Sequence, residues 1–96
     1  MANDQITDDA LNAALITGLS ALGWIVTEPA RADRMLALTG LSPEDLRAGI
    51  ERPDMLAALL NYLEAHEPDM IACAGALDIP PTALVRARTT LEAQSS

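Results

Sequence analysis

The sequence predicts an all-α fold, a small orthogonal bundle of five or six short helices around a long apolar first helix. Three observations lead there. Proline recurs along the chain with an acid after it, at Pro43-Glu44-Asp45, Pro53-Asp54 and Pro68-Asp69. Proline suits the first helical position because the N–H there has no intrahelical partner, and acids in the first turn meet the positive end of the helix dipole. Apolar residues between these starts recur at helical spacing, and no β-branched run alternates in polarity, so no strand is expected. Only Trp24 and Tyr62 are aromatic and Phe is absent, so the core must be built from Leu, Ile, Val, Met and Ala. That palette favours helix packed on helix.

These signals place helices at about 7–27, 30–39, 43–50, 53–65, 68–77 and 81–93. Together they form one domain, 1–96, with an ordered core of about 7–93 and frayed tails at 1–5 and 94–96. Ninety-six residues suffice for a modest single core, and no linker long enough to divide two domains is present.

The first helix has an unusual back. On a helical projection Ala10, Leu11, Ala14, Leu15, Leu19, Ala21, Leu22, Ile25 and Val26 fill one half-cylinder, with Gly18 inside the arc to admit a close neighbour. The other side holds Asn12, Thr17, Ser20, Gly23 and Thr27, together with Ala13, Ile16 and Trp24. No charge occurs between residues 10 and 27. An ordinary surface face carries charges, so this helix either runs through the middle of the bundle or has its back against a partner. As a membrane span the run is compromised by its polar residues. Its flanks, Asp8, Asp9 and Glu28, are the reverse of a basic signal-peptide region. The expectation is a soluble, cytoplasmic protein with no membrane partner.

The second helix ends at "LALTGLSPEDLRAGI", residues 36–50. Gly40 stands where a helix end needs a left-handed residue, Ser42 is placed as the next N-cap, and Pro43 takes the first helical position. Asp45 completes a Ser-x-x-acid capping box in which Asp replaces the usual Glu. "LDIPPTALVRA", residues 77–87, repeats the form of residues 38–48, which reads as one corner type used twice. In the fourth helix Met55, Leu56, Leu59, Leu60 and Leu63 form the apolar face, with Tyr62 at its margin. Met70, Ile71, Ala74 and Leu77 do so in the fifth, and Leu84, Val85, Ala87 and Leu91 in the sixth.

The same stretch, 36–50, has the outline of a helix-turn-helix, but its second helix would offer Glu44 and Asp45 to DNA with Arg47 as the lone cation. A net charge of −8 opposes phosphate backbones and favours basic partners. The better nucleic-acid alternative is the last helix, where Thr82, Arg86, Arg88 and Thr89 lie within residues 77–91. Ser42 also lacks the flanking residues of an acyl-carrier serine. His66 is the only histidine and reads as a helix-end residue; Glu64 and Glu67 are one turn apart among many acids. Cys73, alone among small residues, reads as a buried, inert thiol suited to a reducing compartment. No catalytic constellation, metal site or cofactor site is expected, and the chain is read as a non-enzyme.

Residues 34–71, "RMLALTGLSPEDLRAGIERPDMLAALLNYLEAHEPDMI", resemble a bacterial family of small proteins catalogued as domain of unknown function 3572. The shared pattern is an apolar stretch ending in "LALTGLSP-acid-acid-LR", then a proline-or-acid start to a Leu-rich helix, an acid-bearing turn and a final helix. The resemblance extends over about residues 7–91. Where the family's core helices are expected to carry Phe, this chain has Met35, Met55 and Tyr62. The resemblance implies an all-helical, intracellular protein and carries over no functional residues. The leading expectation is a protein-interaction module, self-associating as a homodimer or binding another protein, through Ile16, Trp24, Ser20 and Thr17.

Overall fold

A computed structural model describes the backbone of residues 2–50 and 52–95 and the side chains of 9–50 and 52–94. Six helices follow one another: α1 (Ala2–Val26), α2 (Pro29–Thr39), α3 (Pro43–Gly49), α4 (Pro53–Ala65), α5 (Glu67–Leu77) and α6 (Pro81–Ser95). Among the described residues there is no strand. Each expected proline start is realised within one residue, Pro68 lying second in α5. The helical backbone reaches Ala2 and Ser95, further than the expected tails allow; Met1 and Ser96 lie outside the described residues.

The corner between α2 and α3 has the anticipated chemistry. Gly40 is left-handed (φ 77°), and its N–H closes α2 by donating to the Leu36 carbonyl at 2.9 Å. Ser42 Oγ accepts from the Asp45 N–H at 3.1 Å while the Asp45 carboxylate accepts from the Ser42 N–H at 2.9 Å. This is a complete capping box, satisfying two otherwise orphan donors. The second corner reuses the plan without a glycine. Asp78 takes the left-handed conformation (φ 58°), half-buried Ile79 follows as Leu41 does, and Pro81 opens α6. Backbone donors from Asp78 and Ile79 to Gly75 and Ala74 carbonyls close α5. α5 and α6 then meet at 99°, an orthogonal packing.

The hub is α4, which packs on all five other helices. Met55, Leu56, Ala57, Leu59, Leu60, Tyr62 and Leu63 are all buried there. Met35, Ile25, Ala21, Leu84 and Leu91 close around them. Thus the three positions that replace expected phenylalanines, Met35, Met55 and Tyr62, are core residues.

α1 packs on α2, α4, α5 and α6 through one stripe only. Ala14, Gly18, Ala21, Leu22 and Ile25 are buried, with Leu11 and Leu15 half-buried at its edge. Gly18 permits the expected close approach: a Cβ there would stand 3.2 Å from Leu56 Cβ. The stripe is narrower than the predicted half-cylinder, however. Leu19 and Val26 belong to the expected apolar arc but are exposed, because α4 and α6 cover the stripe's centre and not its margin. The helix therefore does not run through the middle of the bundle; its uncharged back is open. Ile71 is likewise exposed, because α5 turns Cys73 and Ala74 inward instead.

Candidate interaction surface

The exposed margin of α1 borders an apolar groove. Leu19, Leu22, Gly23 and Val26 form one wall, and Leu46 of α3 with Ile50 at its C-terminal end forms the other. Among the described residues Arg47 is the only charged one along it. Ile16 continues the same line of α1 and is 65% exposed, beside Leu19 at 37%, Val26 at 49% and Ile50 at 45%. Gly23 leaves a gap in this line; a Cβ added there would meet no described atom within 4 Å. Large apolar side chains gathered on one uncharged face mark an interaction site more reliably than single exposed ones.

Of the expected contact residues, Ile16 and Ser20 do stand free on this open back. Trp24 and Thr17 are half-buried and turn elsewhere. Trp24 is eight residues from Ile16 and so about 80° around the helix. It packs against the core under the Arg31 guanidinium, 3.6 Å from the ring centroid. Arg31 also donates to the Trp24 carbonyl and to Thr27 Oγ1, and pairs with Glu28, so it clamps the α1–α2 corner. Thr17 borders a crevice of small residues between α1 and α6, which Ala83, Ala87, Arg86 and Thr90 line from the other side.

The groove residues Leu19, Gly23, Val26, Leu46 and Ile50 were not among the expected contacts. A signal for them exists: Asn12, Ile16, Leu19, Gly23 and Val26 follow one another at alternating steps of four and three, a heptad seam. The wider half-cylinder signal overlaps it and absorbs Leu19 and Val26 into the core.

The nucleic-acid alternative fares differently residue by residue. Thr82 and Arg86 are exposed on α6, and the exposed Thr89 turns its hydroxyl back to the Val85 carbonyl. Arg88 is held by Glu64 on α4 and by Glu92 at 2.8 Å, the hydrogen bond to Glu64 chiefly raising its pKa. Its cation is thereby committed within the fold, so α6 offers a thin phosphate footprint.

Several other titratable groups have structural partners. His66 sits between α4 and α5, stacks on Tyr62 at 4.6 Å, and donates from Nδ1 to the Tyr62 carbonyl at 2.9 Å. The Tyr62 hydroxyl donates to Asp69, which also pairs with Arg34 at 2.8 Å, tying α2, α4 and α5 together. Glu67 lines the shallow hollow beside this cluster. Cys73 is fully buried, and burial pushes its thiol from 9.0 up to about 11, partly opposed by the Arg31 charge. By length and composition the Asp9–Val26 stretch of α1 is apolar enough to cross a membrane, and 28% of it is buried in the bundle.

No curated protein and no solved structure matches the chain. A family model, however, matches residues 11–94, from the start of the buried stripe of α1 nearly to the end of α6. The chain therefore belongs to the family described as protein of unknown function, DUF3572.

Proposed function

We propose that the protein is a non-enzymatic protein-interaction module whose contact surface is the open face of α1 with the adjoining α1–α3 groove. One observation carries this reading: Ile16, Leu19, Val26 and Ile50 are exposed together along one face that, among the described residues, holds a single charge, in a chain of net charge −8. Leaving such a surface in water is unfavourable, at about 25 cal/mol per Å² of apolar area, so covering it supplies a driving force for association. Charged residues are depleted at interface centres, as they are here.

A photo-crosslinking side chain placed at Ile16, in the source cells, tests the reading. The same substitution at Ile71, an exposed apolar residue on α5, is the control. Covalent protein adducts at position 16 and few at position 71 are expected. No adduct at position 16 overturns the reading.

A further inference from the structure

We infer that the occupant of the α1–α3 groove is a second copy of this chain, packed antiparallel along α1 about a two-fold axis level with the midpoint of Leu19 and Gly23. This rests on the interaction-surface reading above and names its partner. Three features of the molecule point to it.

The first is the seam. Ile16, Leu19, Gly23 and Val26 repeat at steps of three and four, the spacing by which two helices interlock side chains along a shared line. α1 already uses its other stripe for α4 and α6, so this is a second, unused seam on the same rod.

The second is Gly23. It lies in the last turn of an exposed helical face, where glycine is less favourable than alanine, and no intramolecular contact requires it, since a Cβ would meet no described atom within 4 Å. Gly18, by contrast, is explained by Leu56 at 3.2 Å. An unexplained glycine in the wall of an apolar groove leaves a gap that a knob from outside can fill. The groove walls, Leu22, Val26, Leu46 and Ile50, make that socket apolar.

The third is charge. A chain of net charge −8 resists meeting itself over most of its surface, yet residues 10–27 carry no charge, so two copies can meet along this part of α1 without opposing carboxylates from it. A two-fold interface is self-complementary, each patch supplying both knob and socket. Antiparallel alignment about the stated axis meets that condition. Leu19 of each copy enters the Gly23 socket of the other, and Ile16 of each lies on Val26 of the other. The run from Ile16 to Val26 is only about 15 Å of helix, widened by α3, so the contact is smaller than a standard interface of about 800 Å² per partner and the dimer is weak.

Sedimentation equilibrium of the purified full chain, from micromolar to millimolar concentration, should show a monomer–dimer equilibrium. Leu19→Glu should weaken it at least about tenfold, while Ile71→Glu leaves it unchanged. The alignment has its own test. Ile16→Lys and Val26→Glu should each weaken the dimer, whereas the double variant should recover it, because antiparallel packing brings each lysine to a glutamate of the other copy. In parallel packing the double variant places like charges together and stays monomeric. Circular dichroism confirms that each variant folds, as exposed positions allow.

A chain that remains monomeric throughout overturns the inference, as does a double variant that fails to recover. Flotation of a monomeric native chain with phosphatidylcholine vesicles, lost in Leu19→Glu, assigns the face to a membrane and also overturns it. If position 16 crosslinks to a different protein while the purified chain is monomeric, the second-copy inference falls and the interaction surface stands. If neither experiment gives a partner, both fall.

Discussion

Replacing single glycines by alanine separates a glycine the fold needs from one it does not. Gly18 lies in the interior of α1, and an added Cβ would stand 3.2, 3.4 and 3.6 Å from Cβ, Cδ1 and Cδ2 of Leu56. Leu56 is fully buried, and its Cβ moves only with the α4 backbone, so the α1–α4 contact must open by a few tenths of an ångström. Alanine gains about 1 kcal/mol in helix propensity, and overpacking costs about 1–3 kcal/mol. Gly18→Ala should therefore range from neutral to about 2 kcal/mol destabilising.

Gly23 and Gly75 have no described atom within 4 Å of an added Cβ and lie in the last turns of α1 and α5. Alanine at either keeps the propensity gain without the clash, about 0.5–1 kcal/mol. For a domain of this size that raises Tm by about 2–8 °C. Thermal unfolding followed by far-ultraviolet circular dichroism, at a concentration where the chain is monomeric, reads all three. A stabilised Gly18→Ala equal to Gly23→Ala, or a destabilised Gly23→Ala, refutes the packing argument.

Three further outcomes can be measured. Ser42→Ala removes the hydroxyl that accepts from the Asp45 N–H and should cost about 1 kcal/mol, seen as a lower urea midpoint with unchanged slope. Leu59→Ala empties a fully buried position on the hub helix and should cost about 2–5 kcal/mol in the same titration, a large part of the stability of a domain this small. Cys73 sets an alkaline limit: its folded pKa lies above the ordinary 9.0, at about 11, so the unfolded chain loses the thiol proton first. Stability from this group is full below pH 9.0 and declines as pH rises toward about 11, and Cys73→Ala should lack that decline between urea titrations at pH 8 and pH 10.5.

The helix boundaries were legible because they depend on local chemistry. A proline fits a helix start whatever surrounds it, and Gly40, Ser42 and Asp45 cap α2 and α3 through groups within a few residues of each other. The same locality exposes where such reasoning stops. His66 was legible as a helix-end residue, but its stack on Tyr62 required knowing how α4 turns into α5. Arg88 reads as a candidate phosphate ligand on α6 until Glu64, 24 residues earlier, is found to hold it. Asp78 takes the left-handed conformation that Gly40 announces at the matching corner; aspartate tolerates it better than most residues, but far less distinctively than glycine.

By itself, then, the sequence determined an all-α chain of five or six helices, the capping of its corners, its family and the absence of charge along residues 10–27. Which half of α1 faces inward was decided only by tertiary packing. Periodicity reports that a residue is apolar and where it lies around the helix, but burial depends on the width of what covers it. α4 and α6 cover the line through Ala14, Gly18, Ala21 and Ile25 and leave Leu19 and Val26 outside. Trp24, the largest apolar side chain, is drawn under Arg31 of α2, while the smaller Ile16 remains in the open. The surface available to a partner is the part of the apolar sequence that the fold had no neighbour to cover.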